Sequence, residues 1–318
     1  MPIIKKSYNP SLLFRSGHFS TIYSAFFRNF PQVIQERERV TLSDGDFLDI
    51  DWSYSTPSQN KVAILLHGLE GNAQRSYIQG MAYNLLQENW DVAAVNFRGC
   101  SGEVNRRYLS YNAGRTDDLE EIIANIIEKD RYTELIIVGF SLGGNLLLKY
   151  LGERDRVPKI IKKGIAISAP IYLKGSLEAL SKPNNWIYQK SFLLNLRKKY
   201  NHKMSLFPDK MNKEDLNKIR TLLDFDNIYT APAHGFNDAF DYYEKNSSLQ
   251  FLMQINIPVL LINAKNDSFL SPECYPFTQA EASKNIFFET PEYGGHVGFY
   301  KGDKLYYNEQ RSLEFIAH

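Results

Sequence analysis

The segment Gly139-Phe140-Ser141-Leu142-Gly143 decides how the whole chain is interpreted. It follows a run of strand-forming apolar residues at 134–138 and precedes a helical pattern at 145–151. A G-x-S-x-G segment between a buried strand and a helix is typical of a nucleophile elbow, in which a tight turn lifts the serine above the sheet. We therefore predict that Ser141 is a nucleophile. The alternative interpretation is a glycine-rich turn that contains an incidental serine.

On both sides of this segment, short apolar runs alternate with amphipathic stretches. The predicted strands are 61–66, 91–96, 134–140, 164–168, 258–264 and 286–290, and the predicted helices are 77–87, 117–128 with Thr116 as N-cap, 145–151, 276–283 and 304–316. A hairpin of strands 38–42 and 47–54, joined by Ser43-Asp44-Gly45-Asp46, precedes them. Strands that alternate with helices predict a mainly parallel central sheet with helices on both faces.

The alternation stops between residues 169 and 254, where helical patterns and aromatic residues occur without an obvious strand. We therefore predict an α/β core formed by residues 1–168 and 255–318, interrupted by a helical cap at 169–254. The basic cluster Arg197-Lys198-Lys199 within this insertion is typical of a solvated helix face. Contact with a membrane surface is the alternative for this cluster.

A serine hydroxyl needs a base to act as a nucleophile at neutral pH. His296 lies in a glycine-rich loop directly after the last predicted strand, and Asp267 follows the strand before it. The aspartate would hold the imidazole in the required tautomer and stabilise the imidazolium that forms. Asp241 and Glu273 are less suitable acids, because the first lies in the predicted cap and the second several residues beyond a strand end.

Acyl transfer also requires donors for the oxyanion that develops in the transition state. The backbone N–H of Leu142, directly after the serine, is one candidate. The backbone N–H of Leu69, in the loop His67-Gly68-Leu69-Glu70-Gly71 after an early strand, is the other. We interpret His67 as a residue that shapes this loop, since a catalytic histidine there would precede the serine.

Composition excludes several classes of protein. The chain has 318 residues, 43% hydrophobic and 23% charged, with a formal net charge of +1, so nothing favours nucleic-acid binding. The two cysteines, Cys100 and Cys274, are too few for a disulfide framework. No signal peptide and no apolar run of about 18 residues is visible, so we expect a cytoplasmic protein without stable membrane insertion. Scattered histidines and the absence of nucleotide-binding motifs predict no metal and no cofactor.

At this point the chain resembles a known family, the YheT-like α/β-hydrolases, which are related to animal abhydrolase-domain lipases and esterases. The matching segments are Ser16-Gly17-His18-Phe19-Ser20-Thr21, residues 44–52, residues 67–71, residues 96–102, residues 139–145, residues 230–236 and Gly294-Gly295-His296-Val297-Gly298-Phe299. The resemblance implies an α/β-hydrolase fold with a helical cap and ester hydrolysis without a cofactor. It also implies Ser141, Asp267 and His296 as the catalytic residues.

Together these observations predict a serine hydrolase that cleaves small-molecule carboxylic esters. The aromatic and aliphatic residues of the predicted cap would line an apolar pocket beside Ser141 that limits chain length, and no anchor like that of the animal relatives is visible, so we expect short-to-medium acyl chains. A phospholipase, lipase or thioesterase with the same three residues is the alternative within the enzyme class. A non-catalytic lipid-binding protein on the same fold is the alternative from another class.

Overall fold

A mixed nine-stranded sheet runs through the part of the chain that the computed structural model describes, residues 3–4, 8–302 and 304–318. Its strands in chain order are β1 (Ile3–Ile4), β2 (Glu36–Thr41), β3 (Phe47–Ser53), β4 (Lys61–Leu66), β5 (Asp91–Asn96), β6 (Glu134–Phe140), β7 (Ile161–Ile167), β8 (Val259–Ile262) and β9 (Ile286–Glu289). They lie side by side in the order β1-β9-β8-β7-β6-β4-β5-β3-β2.

Most neighbouring strands are parallel, as predicted. The run from β1 to β5 in this order is parallel throughout, and only β3 pairs antiparallel with its two neighbours, β5 and β2. The predicted hairpin is present, with Thr41 opposite Phe47 next to the turn. β1 was not predicted, because two residues are too few to show a periodic pattern.

The helices flank the sheet and fill the segment between β7 and β8. They are α1 (Gly17–Phe26), α2 (Ser76–Gln87), α3 (Thr116–Glu128), α4 (Leu142–Glu153), α5 (Leu173–Leu180), α6 (Trp186–Met204), α7 (Lys213–Lys218), α8 (Leu222–Phe225), α9 (Ala231–Ala233), α10 (Ala239–Asn246), α11 (Phe277–Ala282) and α12 (Tyr307–Ala317). Short 3-10 or π turns occur at Leu12–Arg15, Pro183–Asn185, Asp226–Thr230, Ser248–Gln254 and Pro272–Cys274.

The N-cap predicted for α3 is wrong by one residue. Arg115 occupies the cap position, and Thr116 is the first helical residue. The hydroxyl of Thr116 donates to Glu153 of α4, so it holds two helices together and does not cap its own.

Helices cover both faces of the sheet, as the strand pattern predicts. Side chains of β4 alternate between two hydrophobic clusters, with Ile64 on one face and Leu65 on the other. The first cluster contains Leu119 of α3 and Leu147 of α4, and the second contains Met81 of α2. Because both faces of these strands are buried, their sequences are continuous apolar runs without alternating polar residues.

The segment between β7 and β8 is described throughout and contains helices without a strand. Part of it forms a small hydrophobic cluster of its own, which includes Leu196, Tyr200 and Phe225, and this cluster packs against Phe269 from the loop after β8. α6 is the longest helix of the segment, with 19 residues. Among the described residues, no helix combines the length and apolar character needed to cross a bilayer. The division into core and cap stays a prediction.

Candidate active site

Ser141 is the single residue between the end of β6 and the start of α4. Its backbone has φ 53° and ψ −120°, a conformation that side-chain-bearing residues seldom adopt. The two flanking glycines leave no room for a side chain. A Cβ on Gly139 would lie 2.3 Å from the carbonyl oxygen of Gly143, and one on Gly143 would lie 2.5 Å from that of Leu66. The strand–turn–helix geometry expected of a nucleophile elbow is therefore present.

The structure brings the three predicted side chains into one hydrogen-bonded chain. The Nε2 atom of His296 lies 2.9 Å from the Oγ atom of Ser141, and its Nδ1 atom lies 2.8 Å from the Oδ2 atom of Asp267. The carboxylate is fully buried, and its Oδ1 atom accepts a hydrogen bond from the N–H of Phe269. The Phe269 ring stacks on the imidazole with centroids 4.2 Å apart. The imidazole is thus held from three sides.

The alternative acids lie elsewhere. Asp241 is in α10, where its carboxylate pairs with Lys245 at 2.7 Å and accepts a hydrogen bond from the N–H of Asn237. Glu273 is exposed in a 3-10 turn. Neither carboxylate contacts His296.

Helix α1 holds the loop that carries the histidine. The N–H of His296 donates to the Oγ1 atom of Thr21 at 2.8 Å, and this hydroxyl donates to the carbonyl oxygen of Gly17. Gly295 has φ 56°, and a Cβ there would lie 2.3 Å from the same carbonyl oxygen. The side chain of Asn266, next to the aspartate, accepts a hydrogen bond from the N–H of Gly295. The histidine loop is therefore fixed by a helix near the other end of the chain.

Reasoning from local sequence missed this role of α1. The one signal was the matching segment Ser16-Gly17-His18-Phe19-Ser20-Thr21, which carried the family resemblance without a structural reason. The structure supplies the reason, since Gly17 leaves room for the backbone of Asn266, next to Asp267, and Thr21 accepts the N–H of His296.

The two predicted oxyanion donors lie beside the serine. Leu69, Leu142 and Ser141 line the same cavity, and the loop of Leu69 passes so close that a Cβ on Gly68 would lie 3.1 Å from the Cβ of Ser141. The N–H of Leu142 is at the first position of α4, where no intrahelical acceptor exists. In the described part of the chain, neither N–H donates to a backbone acceptor outside the helices and strands. The role of these two N–H groups as oxyanion donors stays a prediction.

His67 shapes the loop that carries Leu69. Its Nδ1 atom donates to the carbonyl oxygen of Gly68 at 2.7 Å, and its Nε2 atom accepts from the N–H of Phe97 at 3.1 Å. Burial lowers the pKa of His67 to about 3, so the ring is neutral and can accept that second hydrogen bond. These contacts support its interpretation as a loop-shaping residue.

Glu70, the next residue after Leu69, ties this loop to α6. It has φ 54°, and Tyr111 holds it from two sides, since the phenol accepts from the N–H of Glu70 and donates to its Oε1 atom. The Nζ atom of Lys199 donates to the same oxygen at 2.8 Å. A cation from the predicted cap therefore contacts the loop of the predicted oxyanion hole.

This contact corrects the interpretation of the basic cluster. Of its three residues only Lys198 is exposed. Lys199 faces the cavity, and Arg197 donates to the carbonyl oxygens of Leu216 and Ile219. The local sequence could not reveal these contacts, because Glu70 is distant along the chain from Lys199 and the acceptors of Arg197 are backbone carbonyl oxygens.

A cavity of roughly 1360 Å³, its mouth included, opens over Ser141 and His296. Most of its wall is apolar. The residues that α5 and α6 contribute to this apolar wall are Leu173, Leu177, Leu180, Phe192 and Leu196. Charged side chains are also present in the lining, namely Glu70, Arg98, Lys199, Lys203 and Asp226. The cavity can therefore take a largely apolar ligand.

Both cysteines are buried and unpaired. Within the described residues, no group of three or more His, Cys, Asp or Glu side chains is placed to share a metal ion. The expectations that the protein uses no metal and no cofactor stay predictions.

Comparison with known proteins gives this arrangement a family. The profile of the alpha/beta hydrolase fold family matches residues 62–303. The Escherichia coli protein YheT is 31% identical over 298 residues, which cover 92% of this chain and 87% of that protein. The chain belongs to the YheT-like family of α/β-hydrolases.

Other relatives of this hydrolase are named for lipid substrates. The human protein named phospholipase ABHD3 is 28% identical over 314 residues, which cover 95% of this chain and 75% of that protein. The human protein named monoacylglycerol lipase ABHD2 is 26% identical, with 96% and 77% covered. Among solved structures, the Pyrococcus furiosus esterase Pf2001 aligns with a TM-score of 0.59 at 18% identity, covering 91% of this hydrolase and 97% of that chain. This structural likeness establishes the α/β-hydrolase fold.

Proposed function

We propose that this hydrolase cleaves carboxylic esters of small molecules through a covalent acyl-enzyme. The observation that carries the proposal is the hydrogen-bonded chain from Ser141 through His296 to the buried Asp267, at the wall of a largely apolar cavity. An arrangement of this kind activates a serine hydroxyl and needs neither a metal nor a cofactor.

In the proposed mechanism, the Oγ atom of Ser141 attacks the ester carbonyl while the Nε2 atom of His296 takes its proton. Asp267 holds the imidazole and stabilises the imidazolium. The N–H groups of Leu69 and Leu142 donate to the oxyanion of the tetrahedral intermediate. The imidazolium protonates the departing alcohol. Water, deprotonated by the same imidazole, then releases the acid and restores the serine.

We also propose residues 169–254 as a cap that selects the acyl chain. Side chains of α5 and α6 form much of the apolar wall, and each methylene buried there contributes about 0.8 kcal/mol. We propose that this wall limits the length of the acyl chain, so that short-to-medium chains are preferred. The names of the relatives ABHD3 and ABHD2 favour a phospholipase or lipase as the second candidate. A thioesterase would use the same residues.

Two measurements test the proposal. A fluorophosphonate probe should label wild-type protein and fail to label Ser141→Ala, whose thermal melt should match that of the wild type. Turnover of p-nitrophenyl esters from acetate to palmitate should peak at short-to-medium lengths. A non-catalytic binding protein would show no labelling, and a lipase would show a steady rise to palmitate or activation at a lipid interface.

A further inference from the structure

Two lysines of α6 point towards the same cavity as Ser141. Lys199 and Lys203 are four residues apart, so they lie one above the other on one face of the helix. Both line the cavity, whereas Lys198, directly before Lys199, is exposed. The cavity wall therefore carries two ammonium groups.

Other cations of the cavity wall have carboxylate partners. Lys199 pairs with Glu70 at 2.8 Å. The guanidinium of Arg98 is occupied by three carboxylates, those of Asp44, Asp46 and Asp118. Neither side chain has a charge left over for a ligand.

Lys203 differs from both. It is only 6% exposed, and its ammonium donates to the carbonyl oxygen of Leu109 at 2.6 Å. No carboxylate of the described residues lies within 4.0 Å of it. An ammonium has three N–H donors, so two remain for another acceptor.

The surroundings of this ammonium make its charge costly. Burial is the main reason that the pKa of Lys203 is lowered to about 7. The positive charges of Arg98 and Lys199 lower this pKa further, whereas the negative charge of Asp46 raises it. Asp226 also lines the cavity, but its carboxylate accepts a hydrogen bond from the hydroxyl of Tyr243. A buried cation without a counter-charge is stabilised by an anion that binds beside it.

We propose that Lys203 binds an anionic group of the substrate, so that the preferred esters carry a carboxylate or a similar oxyanion on the part that fills the cavity. This inference rests on the proposed ester hydrolysis at Ser141. It narrows the substrate class from apolar esters to amphipathic ones, with an apolar stretch between the scissile bond and the negative charge. The apolar wall contacts the stretch, and the lysine contacts its charged end.

The test compares charged and uncharged esters in matched pairs. One series is the p-nitrophenyl half-esters of dicarboxylic acids from succinate to sebacate, each beside the uncharged acyl ester of the same length. A second pair, 4-carboxyphenyl butyrate and phenyl butyrate, places the charge on the alcohol. The quantity measured is the ratio of kcat/KM for the charged ester to that for its uncharged partner. We expect a ratio of about ten- to a hundredfold at one length or in the second pair, as for a charge-assisted hydrogen bond in a buried site.

Three variants test whether Lys203 causes the higher kcat/KM for charged esters. In Lys203→Met the ratio should fall to about one, in Lys203→Arg it should stay above one, and in the exposed control Lys198→Met it should equal that of the wild type. If Lys203→Met does not fold, inhibition of wild-type ester hydrolysis by suberate, a dicarboxylate, measures anion binding in the cavity. A ratio near one in every pair, or a high ratio that survives in Lys203→Met, would overturn the inference. Loss of fluorophosphonate labelling of the wild type would instead overturn the proposed function.

Discussion

Replacing Thr21 by valine tests whether α1 positions His296, the proposed catalytic base. The substitution keeps the shape of the side chain but removes the oxygen that accepts the N–H of His296 at 2.8 Å. An N–H left without an acceptor in a partly buried site costs about 1–3 kcal/mol. The new methyl group would also lie closer to that nitrogen than the usual contact of about 3.5 Å, so the loop must retreat by roughly half an ångström or more.

This displacement should appear in the rate of reaction and less in substrate affinity. A misplacement of about 1 Å can lower a rate by about a hundredfold. We therefore expect kcat to fall about 10- to 100-fold in Thr21→Val, with KM changed little. The rate of labelling by a fluorophosphonate should fall in parallel, because labelling uses the same serine and base.

Thr21→Ser is the matched control, since it keeps the hydroxyl and loses only the methyl group. It should react at close to the wild-type rate, while Thr21→Val should also melt a few degrees lower. Wild-type kcat and labelling in a folded Thr21→Val protein would refute the positioning role of α1.

Four further outcomes are expected. Asp267→Asn should lower kcat by up to about ten-thousandfold, because the amide favours the wrong imidazole tautomer; a loss of less than tenfold would argue for another acid. Gly143→Ala should destabilise the protein by about 1–3 kcal/mol in denaturant unfolding, since its Cβ would lie 2.5 Å from the carbonyl oxygen of Leu66, and unchanged stability would contradict the geometry. The pKa of His67 is about 3 when folded, below its ordinary value of about 6.5, so its stabilising contribution is complete above pH 6.5 and decreases as pH falls towards 3. The stability advantage of wild type over His67→Asn should accordingly shrink by about 1.4 kcal/mol per pH unit in that window, and a constant difference would contradict a neutral buried ring. EDTA should leave ester hydrolysis unchanged; loss of activity that one metal restores would reveal a metal site.

The parts of the fold that the sequence predicted best are those with a strong local signal. The bounds of β4, β5 and β6 coincide with the predicted ones, because each is a continuous apolar run between turn-forming residues. Ser141, Asp267 and His296 could be proposed because each directly follows a strand or lies in the loop after one. The carboxyl ends of parallel strands meet at one edge of a sheet, so chain order alone brings such residues together.

Helix α1 escaped prediction because its burial pattern is reversed. Its buried residues are Ser20 and Ser24, while Phe26 is 79% exposed. The small serines allow the glycine-rich loop to approach, and the hydroxyl of Ser24 donates to the carbonyl oxygen of Gly298. An apolar periodicity cannot find a helix whose buried face is small and polar. The contact of Lys199 with Glu70 was missed for a related reason, since Glu70 lies 129 residues away along the chain.

The contact between α1 and the histidine loop also affects how the site folds as the chain is synthesised. Thr21 and His296 are 275 residues apart, so the ribosome releases one long before it makes the other. Contacts between residues so far apart in sequence form slowly, because closing the long loop between them costs entropy. While the chain is being synthesised, the elbow can form on the completed central strands without a base to activate its serine. The proposed base can reach the serine only after the histidine loop has docked on α1.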